Sequence, residues 1–217
     1  MEFIQYCIDF FVHLEPHLIA IFKDFGIWAY LIMFLIIFCE TGLVVTPFLP
    51  GDSIIFFLGL LSASGKINVW LIFIVLVTAA ITGNMMNYYI GKAFGHTVFN
   101  RDNVRFFNRK NLDKAHGFFE KYGSKTIIIT RFVPIVRTFA PFAAGMGCMS
   151  FAKFVIYNII GGISWVTIFI TAGYFLGTLI PEKFLSIAIL VIVAVSLLPM
   201  VIEYLREKNK NKLKTSS

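Results

Sequence analysis

Long apolar runs dominate this chain, and three of them are uninterrupted. They cover residues 67–91, 154–179 and 184–202. Each run is near or above the about 20 residues that a helix needs to cross a hydrocarbon core about 30 Å thick. The pattern of hydrophobic positions therefore predicts about three full transmembrane helices.

Two further apolar runs, residues 27–65 and 124–150, are interrupted by helix breakers and charges. A proline inside a helix removes a hydrogen bond, and backbone groups freed at membrane depth need protein or water around them. We expect each run to form a re-entrant helical hairpin. The residues expected to break the hairpins are Pro47, Pro50, Gly51, Pro134, Pro141 and Gly145.

Composition supports a membrane protein and excludes other classes. Of the 217 residues, 58% are hydrophobic and 14% are charged, whereas soluble domains are about 45–50% apolar and about 25% charged. A soluble enzyme domain, a disordered chain and a disulfide-stapled secreted module are therefore excluded. We expect an all-α polytopic membrane protein with one membrane domain over residues 1–217, built as an inverted repeat.

Basic residues lie mainly in two stretches beside the apolar runs. The net charge is +7, and 13 of the 19 Lys and Arg residues fall within residues 92–125 and 203–217. The positive-inside pattern predicts a basic cytoplasmic segment with an amphipathic helix over 92–123 and a basic cytoplasmic tail over 203–217. The first hairpin then opens from the outside and the second from the cytoplasm. No motif for nucleic-acid recognition accompanies this charge, so we expect no nucleic-acid partner.

The N-terminal segment is acidic rather than basic. Residues 1–24 contain four acidic residues and one lysine. We expect an amphipathic helix over residues 1–26 that lies on the outer face of the membrane. The alternative is that this segment also spans, which would place the N-terminus inside.

A weak internal repeat supports the inverted arrangement. The pentapeptides at 22–26 and 119–123 are similar and lie 97 residues apart, whereas the Gly-x-x-x-Gly motifs at 91–95 and 173–177 lie 82 residues apart. The second copy is thus 15 residues shorter, and we place this loss in the return arm of the second hairpin. Two broken segments in oppositely oriented halves are typical of a transporter site near the membrane midplane.

Four ionisable residues lie inside the two interrupted runs: Glu40 and Asp52 in the first, Arg131 and Arg137 in the second. Each costs about 2.5–3.5 kcal/mol at the centre of a membrane helix, so they must be paired or hydrated. At about 1.5 Å per residue, both acids and Arg131 reach a similar depth, and Arg137 lies nearer the outer side. The 97-residue offset also aligns Glu40 with Arg137.

Two interpretations of these charges stay open. In the first, the arginines bind an anionic headgroup in a polar cavity, and the acids compete for them or carry protons. In the second, buried ion pairs clamp the two hairpins together. The polar residues expected to line such a cavity are Ser53, Asn84, Asn87 and Asn158.

Catalytic and metal-binding motifs are weak. No histidine stands within a hydrophobic segment to serve Ser53 as a base, and a nucleophilic serine needs such a base. His13 and His17 have helical spacing but no further ligand nearby. We therefore expect no enzyme, no cofactor and no metal.

The residues around the four charges form two motifs. Residues 38–53 read FCETGLVVTPFLPGDS, and residues 131–147 read RFVPIVRTFAPFAAGMG. Both motifs closely resemble the bacterial DedA family, part of the wider SNARE-associated or VTT-domain superfamily. The resemblance covers nearly the whole chain. The functional acids of the family fall on Glu40 and Asp52, and its functional arginines fall on Arg131 and Arg137.

This resemblance implies a multi-pass protein of the bacterial inner membrane that moves an anionic, phosphate-bearing lipid across the bilayer. Undecaprenyl phosphate or a phospholipid is the implied substrate, with coupling to the proton motive force. The implied partners are lipids with phosphate headgroups, protons and, as an open alternative, further copies of the chain. Many relatives have Gly-Asp where this chain has Gly83-Asn84, which counts against a proton role at that position.

Other functions are compatible with the same residues. A proton-coupled transporter for a small solute would also need charges in a membrane cavity. A non-transporting membrane assembly or structural factor would use them as a clamp.

Overall fold

The computed structural model describes residues 14–43, 51–99, 117 and 119–179. All regular structure in these ranges is helical, as predicted. The α-helices are α1 Leu14–Phe25, α2 Trp28–Gly42, α3 Gly51–Ala63, α4 Val69–Phe99, α5 Thr126–Ile129, α6 Pro134–Ala143 and α7 Phe151–Leu179. Two 3₁₀ turns, Gly123–Lys125 and Thr130–Phe132, flank α5, and a π-helical turn, Ala144–Cys148, follows α6.

Helices α4 and α7 are long and apolar enough to cross a membrane. Their apolar stretches are Val69–Phe94, with 26 residues, and Phe151–Leu179, with 29 residues. At about 1.5 Å per residue, both exceed a hydrocarbon core of about 30 Å. Large apolar side chains on their outer faces, such as Trp70 and Phe175, are exposed. Two of the three predicted spans therefore exist as helices of sufficient length.

Several predictions fall wholly or partly outside the described residues. These are the span 184–202, the tail 203–217, most of the basic segment 92–123, and the first half of the N-terminal helix. Helix α1 buries Leu18 and exposes Lys23 and Asp24. Its position relative to the membrane stays a prediction.

Helices α2 and α3 form a first helical hairpin beside α4. The backbone N–H of Asn68, just before α4, donates to the Tyr30 hydroxyl near the start of α2 at 3.2 Å. The last residue of α2, Gly42, lies instead against Gly83 in the middle of α4. Helix α2 therefore runs parallel to α4, and α3 returns antiparallel to α2. With 15 and 13 residues, these arms are about 20 Å long, too short to cross the core.

The segment from Gly123 to Cys148 forms a second helical hairpin beside α7. Ile127 packs in one cluster with Phe154 near the start of α7, and Arg131, at the end of this arm, reaches Asn158 further along it. The first arm therefore runs parallel to α7. Helix α6 then returns along α4.

The return arm of each hairpin packs on the long helix that follows the other hairpin. Gly59 of α3 lies against the Ile170 carbonyl of α7, and Gly145 after α6 lies against the Tyr88 carbonyl of α4. An added Cβ would collide with the carbonyl in both cases, so only glycine permits this approach. The reciprocal contacts are Gly173 with the Phe56 carbonyl and Gly91 with the Phe142 carbonyl.

These paired contacts show one packing scheme twice. Corresponding residues lie 86 positions apart in the return arms and 82 positions apart in the long helices. The predicted location of the 15 missing residues is therefore wrong. Eleven residues of the first copy have no counterpart before Gly145, because a short α5 and its 3₁₀ turns replace the longer α2 and the connection to α3. The other four have no counterpart between Gly145 and the start of α7.

The two long helices are antiparallel and cross near their middles. Tyr88 donates to the Met149 carbonyl before the start of α7, whereas Ile81, earlier in α4, lies beside Gly162, later in α7. The first arm of each hairpin starts beside the start of the long helix that follows that hairpin. Because these two long helices are antiparallel, the hairpins enter from opposite ends of the molecule. Their tips meet at the crossing point.

The helix breakers act unequally. Gly51 begins α3 and Pro134 begins α6, as predicted, whereas Pro47 and Pro50 lie outside the described residues. The prediction that Pro141 breaks the second hairpin is wrong, because α6 continues through it. One missing N–H leaves the other helical hydrogen bonds in place. The return arm ends only in the π-helical segment after α6, where Gly147 has a φ of 119°.

Candidate functional site

The tips of the two hairpins bring three of the four predicted charges into direct contact. Arg137 donates from Nη1 to Asp52 Oδ1 at 2.7 Å and from Nη2 to Glu40 Oε1. The side chains of Glu40, Arg137 and Asp52 are 1%, 13% and 29% exposed. Burial strengthens such ion pairs because the local dielectric is low. One arginine of the second hairpin thus bridges both acids of the first.

The predicted depth of Arg137 is wrong. Arg137 was expected nearer the outer side than the acids and Arg131, as if the chain ran straight on from Arg131. The chain instead reverses at Val133, which has extended backbone. Arg137 therefore lies at the start of the return arm, close to the tip of the hairpin. Glu40 lies in a first arm and Arg137 in a return arm, so the two residues are not at equivalent positions of the repeat. The offset of 97 residues instead aligns two residues that contact each other.

The start of α3 is shaped around Glu40. A Cβ added at Gly51 would overlap the Glu40 carboxylate, so a glycine there leaves the space that the carboxylate occupies. The second carboxylate oxygen, Oε2, is buried and has no hydrogen-bond partner in the part of the chain that the structure describes. The Glu40 carboxylate therefore has one oxygen on Arg137 and one oxygen available for a proton.

Arg131 has different surroundings. It is 4% exposed, and its Nη2 donates to Asn158 Oδ1 at 2.6 Å, with longer contacts to the Ala80 and Asn158 carbonyls. Its Nε is buried and has no partner, and no carboxylate of residues 14–43, 51–99 or 119–179 forms an ion pair with it. Arg131 is therefore a buried cation held by neutral groups.

Trp165 of α7 connects these groups. Its Nε1 donates to Asp52 Oδ1 at 2.8 Å. The guanidinium carbons of Arg137 and Arg131 lie 5.3 Å and 5.8 Å from the centroid of its ring, within the range of cation–π attraction. Trp165 is also part of the buried hydrophobic core, so it packs the interior and contacts the charged groups. Its place in mid-span, away from the interfaces where Trp is enriched, was the sequence signal for this polar contact.

Two asparagines of α4 bind the hairpin tips and α7. Asn84 Nδ2 donates to Asn158 Oδ1 at 3.0 Å. Asn87 Nδ2 donates to the Thr41 carbonyl at 3.2 Å and to the Thr138 carbonyl at 2.9 Å. Asn87 thus connects both hairpins to α4 through one amide group.

A small pocket, partly open to the outside and with room for about one water molecule, lies among these groups. Of the four predicted cavity residues, Asn84 lines this pocket, whereas Asn87 and Asn158 are buried beside it. Ser53 is buried, and its hydroxyl has no partner among the described residues. The residues that line the pocket are Glu40, Thr41, Asn84, Arg131, Arg137, Thr138 and Trp165.

Sequence reasoning missed Thr41 and Thr138 as pocket residues. Each directly follows a membrane charge, Glu40 or Arg137, and this shared dipeptide pattern was the available signal. Within the described ranges, no group of three or more His, Cys, Asp or Glu side chains is placed to hold a metal ion. The pocket thus combines two arginines with the carboxylate of Glu40, and the carboxylate of Asp52 contacts one of these arginines, Arg137.

Comparison with known proteins identifies similar chains. The VTT domain family matches residues 46–175, which include three of the four charges and Trp165. Protein DedA of Escherichia coli (strain K12) is 50% identical over 211 residues, 96% of each chain.

More distant relatives are also named as membrane proteins. An uncharacterized membrane protein of Mycobacterium leprae (strain TN) is 42% identical over 168 residues, 77% of this chain and 75% of that one. Inner membrane protein YqjA of Escherichia coli (strain K12) is 34% identical over 148 residues, 68% of this chain and 67% of the relative. No solved structure matches this chain.

Proposed function

The chain belongs to the DedA family of VTT-domain membrane proteins, and from this premise we propose that it carries an anionic, phosphate-bearing lipid across the inner membrane. The observation that supports this most is the pocket at the hairpin tips, where two arginines and two carboxylates meet. Charges in a membrane interior are expensive and mark substrate or proton pathways. Apolar packing would hold the hairpins together at least as well.

The arginines suit a phosphate headgroup. A guanidinium presents several N–H donors in a planar fork that matches phosphate oxygens. The apolar chains of undecaprenyl phosphate or of a phospholipid would lie along the exposed apolar faces of α4 and α7, where Trp70, Ile74 and Phe175 project outward.

The shared arginine supports coupling to protons. Asp52 and Glu40 both bind Arg137, so the three groups carry a net negative charge that repels an incoming phosphate. Protonation of either acid removes this net charge and favours entry of the phosphate. Release of the proton on the other side would reverse this exchange. The unpartnered Oε2 of Glu40 is one atom that would hold such a proton.

We further propose that the two hairpins are re-entrant. Their arms are too short to cross the membrane, and they enter from opposite ends of an antiparallel pair of long helices. The basic residues beside the apolar runs support an orientation with the first hairpin on the outer side, the second on the cytoplasmic side and a cytoplasmic C-terminus.

A transport assay in reconstituted vesicles tests the function. Vesicles that contain the wild-type protein should move headgroup-labelled phosphatidic acid or undecaprenyl phosphate between leaflets. Movement should fall sharply for Glu40→Gln, Asp52→Asn and Arg137→Ala. Lys153→Gln is a matched control, since it removes one exposed charge of α7 outside the pocket. Unchanged lipid movement in the three pocket variants would contradict the proposal.

A structural role is the second candidate, because Arg137 is already bridged by both acids. A clamp predicts that the pocket variants lose thermal stability in proportion to lost function. A transporter predicts that Glu40→Gln loses transport at a nearly unchanged melting temperature. Solute-driven proton flux without lipid movement would favour a small-solute carrier instead.

A further inference from the structure

The two arginines of the pocket differ in the charge of their direct partners. Arg137 lies between two carboxylates, so Glu40, Asp52 and Arg137 together carry a net charge of −1 when ionised. Arg131 also lines the pocket, and an amide oxygen and backbone carbonyls hold it. An anion that enters the pocket is repelled by the first group and attracted by the second.

The amide of Asn158 has a fixed orientation. Its Oδ1 accepts from Arg131 Nη2 at 2.6 Å, and its Nδ2 donates to the Ile81 carbonyl at 2.9 Å. An arginine has only donors, and a carbonyl only accepts, so the reversed amide would lose both bonds. Asn158 therefore presents its oxygen to Arg131.

Asn84 completes this arrangement as a neutral donor. Its Nδ2 donates to the same Oδ1 of Asn158 at 3.0 Å, and its side chain also lines the pocket. An aspartate of the same shape could not donate when ionised, and its carboxylate would face the Asn158 oxygen. Such a carboxylate would turn toward the nearby Arg131 and neutralise it.

We propose that Arg131, and not Arg137, receives the phosphate group, and that Asn84 determines this specificity because it leaves Arg131 without a directly bound carboxylate. This inference rests on the proposed function and adds which arginine binds the anion. At Arg131, a phosphate gains a guanidinium partner without displacing a carboxylate. Arg137 then serves as the acid-bound partner whose pairing changes during transport.

Calorimetric titration of the purified full chain in a neutral detergent tests this assignment. The probes are dihexanoyl phosphatidic acid and inorganic phosphate, which separate a lipid headgroup from free phosphate. We expect Arg131→Gln and Asn84→Asp each to weaken binding at least about tenfold. Asn84→Ser supplies an uncharged hydroxyl donor and should bind more tightly than Asn84→Asp, whereas the exposed-charge control Lys153→Gln should bind like wild type.

The outcomes are distinct. Loss of binding in Arg137→Gln with binding retained in Arg131→Gln would overturn the inference and leave the proposed function standing. Equal binding by Asn84→Asp and Asn84→Ser would overturn the role of Asn84. Binding of neither probe by the wild-type protein would contradict the proposed function itself.

Elution as a single species and the melting temperature establish that each variant is folded. If Arg131→Gln does not fold, the comparison of Asn84→Asp with Asn84→Ser decides the question. Binding of one probe or of both supports the assignment if the variants respond as expected.

Discussion

The two hairpins of this protein share one packing scheme but differ in construction and charge. In the first, the arms are regular helices of 15 and 13 residues. In the second, a four-residue helix between two 3₁₀ turns forms the first arm, and a π-helical turn ends the return arm. Both return arms nevertheless dock on a long helix through a glycine, Gly59 or Gly145.

This difference separates scaffold from function. Equivalent glycine contacts recur at both docking sites, because close helix approach requires small residues in any such repeat. The charges do not recur, since the first hairpin supplies carboxylates and the second supplies arginines. The pocket therefore arises from the part of the repeat that differs between its two copies.

The largest expected effect comes from Arg137→Ala, which tests the contact between the hairpins. It leaves Glu40 and Asp52 close together without a counter-charge, and removal of one partner from a buried pair costs about 3–5 kcal/mol. We expect a marked fall in melting temperature in detergent. Adding Glu40→Gln should restore part of it, because one uncompensated charge is removed. A melting temperature within the scatter of Lys153→Gln would show that the tips do not depend on this arginine.

Substitution of the docking glycines tests the shared scheme. Gly59→Ala and Gly145→Ala each place a Cβ against a backbone carbonyl, and overpacking of this kind costs about 1–3 kcal/mol. Thermal unfolding should show similar losses for the two variants. Gly117→Ala is the matched control, since no atom of the described residues lies within 4 Å of its added Cβ. Sensitivity at only one docking site would contradict the equivalence of the hairpins.

Asn87→Ala should destabilise both hairpins together. It leaves the buried Thr41 and Thr138 carbonyls without this donor, and an unsatisfied buried group costs about 1–3 kcal/mol. Hydrogen exchange measured by mass spectrometry should increase in α2 and in α6 alike. Faster exchange confined to one hairpin would show that Asn87 supports only that one.

The smallest expected effect concerns the starts of the two long helices. Asn68 Oδ1 accepts from the backbone N–H groups of Trp70 and Leu71 at 3.0 and 3.1 Å, which caps α4. Asn68→Ala should cost about 1 kcal/mol, measured by thermal unfolding. Ser150 stands 82 residues later, before α7, and its side chain makes no such bond among the described residues. An equal loss in Ser150→Ala would show that the two helix starts are equivalent after all.

Much of the fold was predictable from local sequence. Apolar length predicted α4 and α7, and the helix breakers Gly51 and Pro134 marked where the return arms begin. Both signals are local, because they depend on hydrophobicity and backbone geometry within a few residues. Pro141 was misjudged, since a single lost hydrogen bond does not end a helix whose neighbours pack well.

The sequence by itself determined that the chain lies in a membrane, that it is helical and which four charged residues interrupt its apolar runs. The length of apolar runs and the charges within them are properties of the chain alone. Only the tertiary structure decided that Arg137 meets both acids, that Arg131 is held by neutral groups and that Trp165 lies beside both. The reason is geometric. The chain reverses at Val133, and each return arm docks on the opposite long helix, so residues far apart in sequence share one pocket whose contacts no local pattern encodes.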